Sequence, residues 1–68
     1  MKELTKQIRK EVKRVIEEVG GTKNVLNKHI TAINEKFLVN INPYSKYACD
    51  VRTTVMNQFY YFQYGKGM

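Results

Sequence analysis

The sequence predicts an α+β domain, with two N-terminal helices joined by a glycine turn and followed by a small antiparallel β-meander; an all-α three-helix domain is the alternative. Three observations lead there. Apolar residues recur at three- and four-residue spacing through the first half, the period of a helix. All eight aromatic residues lie between Phe37 and Tyr64, among Val and Thr, the residue types that favour strands. Nine of the twelve Lys and Arg residues fall in the first 36 positions, so a charged half is joined to an aromatic one.

Residues 2–19 form the first helix. At about 100° per residue, Leu4, Ile8, Val12, Val15, Ile16 and Val19 gather on one face. Gly20-Gly21 then ends the helix, because glycine enters the left-handed conformation of a C-terminal cap without a Cβ clash. The opposite face carries Lys2, Lys6, Arg9, Lys10 and Lys13, with Glu3, Glu11 and Glu18 on its flanks and Glu17 near its end. Bases crowd the early turns and acids the last, against the helix dipole. A local stability rule broken in this way points to a functional demand, here a polyanion-binding stripe. An ordinary solvated face with Glu/Lys pairs is the competing structural use.

Thr22 is expected to cap a second helix, its hydroxyl accepting a free amide of the first turn. Val25, Leu26, His29, Ile30, Ile33 and Phe37 keep helical spacing to about residue 36. The segment reads as one helix or as two short ones, 22–29 and 31–37, with Thr31 as a second cap. His29 reads as a half-buried helix residue.

From Phe37 onward two periods coexist. Tyr44, Tyr47, Ala48, Val51, Val55, Phe59 and Phe62 fit one helical face, with Asn42 as cap and Pro43 at the first helical position. Tyr47, Cys49, Val51, Thr53 and Val55 equally alternate with Lys46, Ala48, Asp50, Arg52 and Thr54, as on a half-buried strand. Intrinsic preference favours strands at 37–41, 47–55 and 58–64, with Asn42-Pro43-Tyr44-Ser45 as the first turn. The last strand would be an open edge with aromatic residues on both faces, which makes Phe59, Tyr60, Tyr61, Phe62 and Tyr64 candidates for a dimer or partner interface. The helical reading also leaves Tyr60, Tyr61 and Tyr64 outside its buried stripe. The Tyr60–Tyr64 run has a further use in stacking single-stranded bases.

Sixty-eight residues make a single small domain, 1–68, of a size that buries only about 60% of the unfolded chain's surface. A lone Cys49 forms no internal disulfide and reads as a small buried residue. No Cys/His set has zinc spacing, so neither metal nor cofactor is expected, and the remaining source of stability is self-association, by default as a homodimer, or binding a partner. The sequence carries no apolar run near the ~18 residues of a membrane span and no signal-peptide core, and so reads as cytoplasmic with no membrane partner. A net charge of +6 points to a polyanionic partner, nucleic acid first. Gly20-Gly21 and Gly65-Lys66-Gly67 lack the spacing of a phosphate loop, and no nucleophile–base set or distinctive carboxylate pair stands out, so the chain does not read as an enzyme.

Gly21-Thr22-Lys23, Ala32-Ile33-Asn34 and Phe37-Leu38-Val39-Asn40-Ile41-Asn42 resemble, in order, fragments of the Cro-type small phage repressors, over about a third of the chain. The resemblance implies a helix-turn-helix that reads the DNA major groove and a C-terminal strand region that builds a dimer. It also makes Thr31, Asn34 and Lys36 base- or phosphate-contact candidates. The expectation is a small basic DNA-binding regulator of phage or plasmid type that binds duplex DNA as a dimer. Phosphate contacts would come from Lys6, Arg9, Lys10 and Lys13, with Lys23, Lys28 and Lys36 as further candidates. The alternative is a small phage-type inhibitor or adaptor that blocks a host protein with its aromatic C-terminal surface.

Overall fold

The computed structural model describes residues 2–65; the side chain of Lys2 and the Lys66-Gly67 pair lie outside the described residues. The chain forms helix α1 (Lys2–Val19), a 3₁₀ turn (Thr22–Asn24), helix α2 (Asn27–Phe37) and helix α3 (Lys46–Tyr64). No strand occurs among the described residues, so the α+β expectation is overturned in favour of the three-helix alternative.

Helix α1 follows the sequence pattern. Ile8 and Val12 are fully buried and Val15 nearly so, while Leu4 and Ile16 pack at the edge of the core. Gly20 takes φ 87°, and the amides of Gly20 and Gly21 both return to the Ile16 carbonyl, at 3.0 and 2.9 Å. That closes the last turn as a left-handed glycine cap does. Asn24 Nδ2 donates to the Val19 carbonyl at 2.8 Å, satisfying another helix-end acceptor.

Helix α2 departs from expectation at its start. Thr22 opens the 3₁₀ turn and does not cap α2, and the helix runs unbroken through Thr31. The cause is Val25, whose extended backbone (φ −74°, ψ 125°) brings its side chain against the core and interrupts the helix. Leu26 then stands at the cap position, where no side-chain acceptor is present; His29 Nδ1 reaches back to accept the Leu26 amide at 2.9 Å. His29 is half-buried, as the sequence indicated.

Residues 38–45 make turns where the first arm of a hairpin was expected. The Leu38 amide closes α2 onto the Asn34 and Glu35 carbonyls, Asn40 takes φ 61°, and the Ile41 amide bonds the Leu38 carbonyl at 3.0 Å. Asn42 Oδ1 accepts the Tyr44 amide in a local turn, and Ser45 is the cap of α3, its Oγ accepting the Ala48 amide at 3.1 Å. Asn42 is therefore not the cap, nor Pro43 the first helical residue.

The expected strands 47–55 and 58–64 are one continuous helix. Ala48, Val51, Val55, Gln58 and Phe59 are its buried residues, with Phe62 partly buried beside them. This stripe meets Ile8, Val12 and Val15 of α1 and Ile33 of α2 in a single core. The alternating set never shares a face: Cys49 and Thr53 are exposed while Val51 and Val55 are buried, which corrects the reading of Cys49 as buried. Shared long-range burial outweighs the β preference of individual residues, a preference worth at most about 1 kcal/mol each.

Candidate nucleic-acid interface

Helix α1 packs against both other helices and meets them with unlike flanks. Toward α2 stands Glu11, which accepts from Arg14 Nε at 2.9 Å and pairs with Lys36 Nζ at 3.0 Å; Arg14 also binds Glu18 at 2.6 Å. Every ion pair among the described residues belongs to this cluster. The hydrogen bonds from Arg14 and then Lys36 hold the Glu11 carboxyl below the usual carboxylate range, and Glu11 in turn raises Arg14. Charge is consumed internally here.

Toward α3 the pattern is reversed. Arg9 Nε donates to Gln58 Oε1 at 2.8 Å, and the Arg9 guanidinium lies 5.1 Å from the centre of the Tyr61 ring. Amide and ring hold the cation in place without neutralising it. Lys6, Arg9, Lys10 and Lys13 line one open cleft of about 370 Å³ with Tyr61 and Phe62, and no carboxylate borders it. Tyr61 and Phe62 meet edge to face at 5.3 Å, closing the aromatic side of the cleft. Among the described residues none of the four bases is in an ion pair. The cleft is thus lined by charge of a single sign, the arrangement that attracts a polyanion.

The remaining candidates are dispersed. Lys23 and Lys28 are exposed, on the 3₁₀ turn and in the first turn of α2. Lys36 is engaged by Glu11 on the opposite flank of α1. Thr31 and Asn34 line a separate groove with Glu35, Leu38, Val39 and Arg52, where Asn34 Oδ1 is buried without a partner. The C-terminal strand implied by the repressor resemblance is helix α3.

Of the aromatic interface candidates, Phe59 is buried in the core and Phe62 packs against it, while Tyr61 sits half-buried beneath Arg9. Tyr60 and Tyr64 are exposed and stack on each other at 6.1 Å. They continue an uncharged outward line on α3 through Cys49, Thr53 and Met56, all exposed.

Sequence reasoning passed over Gln58. Its signal was present, as the one amide within the apolar spacing Ala48, Val51, Val55, Phe59, but it emerges only once 46–64 is taken as a helix.

No protein family, curated protein or solved structure matches the chain.

Proposed function

We propose that the protein is a small DNA-binding regulator that grips the phosphate backbone of duplex DNA with the outer face of α1. The observation that carries this reading is the segregation of charge: all ion pairing of the described residues lies on the α2 flank, and Lys6, Arg9, Lys10 and Lys13 are left unpaired around one cleft. Unpaired bases on a rigid helix release condensed counterions from DNA when they meet phosphates, which supplies affinity with little sequence information. Lys23 and Lys28, exposed near the start of α2, extend the contact to neighbouring phosphates. Sequence preference is accordingly modest, and Asn27 and Thr31 are the exposed uncharged polar side chains on α2 available to a base edge. The functional unit is a homodimer joined along the outward face of α3, where Tyr60 and Tyr64 stack.

That same exposed aromatic pair favours the second reading, a protein-binding inhibitor. Fluorescence anisotropy with a labelled duplex at about 50 mM salt separates the two. Binding that disappears when Lys6, Arg9, Lys10 and Lys13 are changed together to Gln supports the DNA reading. Absence of binding, with capture of a host protein from nuclease-treated lysate that survives the fourfold change, transfers the function to α3.

A further inference from the structure

Arg9 is held differently from the three lysines that share its cleft. Its Nε–H is committed to Gln58 Oε1 at 2.8 Å and its guanidinium is seated 5.1 Å from the Tyr61 ring centre, so position is fixed from an edge and from a face. Only one of the five guanidinium N–H groups is used by that bond, which leaves the terminal nitrogens free. A planar fork oriented in advance matches two oxygens of one phosphate and loses little side-chain entropy in binding them.

Gln58 stands where stability alone would not put it. It is 7% exposed, in the stripe that otherwise holds Ala48, Val51, Val55 and Phe59. A buried amide costs stability unless it is hydrogen-bonded, and an apolar residue there would need no partner. The available partner is Arg9, and the acceptor supplied to it is neutral, whereas Arg14 on the other flank receives carboxylates. Arg9 therefore keeps its full charge while its direction is set.

We infer that Gln58 is a positioning residue that presents Arg9 as a bidentate fork for one phosphate oxyanion, while Lys6, Lys10 and Lys13 supply unoriented charge to the neighbouring phosphates. The inference rests on the nucleic-acid reading of this cleft.

The test is Gln58→Leu, with Gln58→Met as a second variant should leucine disturb packing. The expected result is an unfolding midpoint equal to or above that of the unaltered protein, with duplex affinity lowered about two- to tenfold, the cost of immobilising one long side chain on binding. The salt dependence of binding stays the same, because no charge is lost. Arg9→Lys gives a similar loss alone and no further loss in the Gln58→Leu background. Unchanged affinity, or a loss that follows a lowered midpoint, overturns the assignment. Inorganic phosphate provides an independent arm. Its titration is expected to shift the Arg9 side-chain Nε–H resonance in the unaltered protein and to do so less in Gln58→Leu. If that occurs while no duplex binds, the DNA reading fails and the fork stands; if phosphate leaves the resonance unmoved, the fork is wrong even where duplex binds.

Discussion

Two arginines on α1 meet two different acceptors, and the difference decides what each flank does. Arg14 is met by Glu11 and Glu18 and its charge is cancelled; Arg9 is met by Gln58 and its charge remains available. Exchanging the acceptor should exchange the outcome. Gln58→Glu places a carboxylate against Arg9, and the slope of log affinity against log salt should flatten by about one unit, as for deletion of a phosphate contact. An unaltered slope would mean that Arg9 makes no such contact. Glu11 gives the complementary prediction in pH. Its folded carboxyl is depressed, so its contribution to stability is present above the unfolded value near 4.3 and is lost as pH falls through the lower folded one. Because Arg14 and Lys36 are more than half exposed, that contribution is at most roughly 1 kcal/mol. Urea unfolding of Glu11→Gln should therefore show a deficit at pH 6 that shrinks toward zero on acidification; a deficit independent of pH would assign the effect to packing.

At the scale of elements, α1 was legible because a single period ran through it and ended at paired glycines with the left-handed freedom the cap requires. Helix α3 was not, because Val51 and Val55 belong both to the alternating set and to the helical stripe, so their burial suits either structure. The decision lay with Phe59 and Phe62, which share one core with Ile8, Val12 and Ile33, residues distant in sequence. Intrinsic preference cannot register such partners, and it gave Thr53 and Cys49 weight that burial does not support. The basic stripe was readable from α1 alone, whereas the cleft it forms required α3 to be a helix carrying Gln58, Tyr61 and Phe62 onto one flank. The start of α3 offers a direct check. Ser45→Ala removes the acceptor for the Ala48 amide and should cost about 1 kcal/mol by chemical denaturation, with helix content retained at low denaturant. A change within error would mean that the Asn42–Ser45 turn sets the helix start without the hydroxyl.

In the whole molecule none of the three helices is enclosed, and each keeps a face of exposed residues. Its accessible surface is 5078 Å², against roughly 4450 Å² for a compact monomer of this mass. The proposed dimer would cover α3 and leave the two α1 faces open. Sedimentation equilibrium at tens of micromolar should give twice the monomer mass of 8.0 kDa, and Tyr60→Ser with Tyr64→Ser should return it to the monomer without loss of helical circular dichroism. A monomer in the unaltered protein removes the dimer.

The decisive prediction concerns where in the molecule the net charge of +6 is effective. If affinity followed net charge, removing any one base would weaken DNA binding alike. The geometry instead separates the bases that line the unpaired cleft from those, like Lys36, bound to a carboxylate, and from the dispersed remainder such as Lys23 and Lys28. Four phosphate contacts from one α1 face imply a slope of log affinity against log salt of about −3.6, or about −5.4 with Lys23 and Lys28 engaged as well, doubled if both protomers engage one duplex. Lys6→Gln, Lys10→Gln and Lys13→Gln should each flatten the per-protomer slope by about one unit, whereas Lys36→Gln should leave it unchanged. Equal flattening by Lys36→Gln would show that bulk charge, and not the cleft, attracts the DNA. A slope near zero in the unaltered protein would remove phosphate binding and leave the aromatic face of α3 as the site of function.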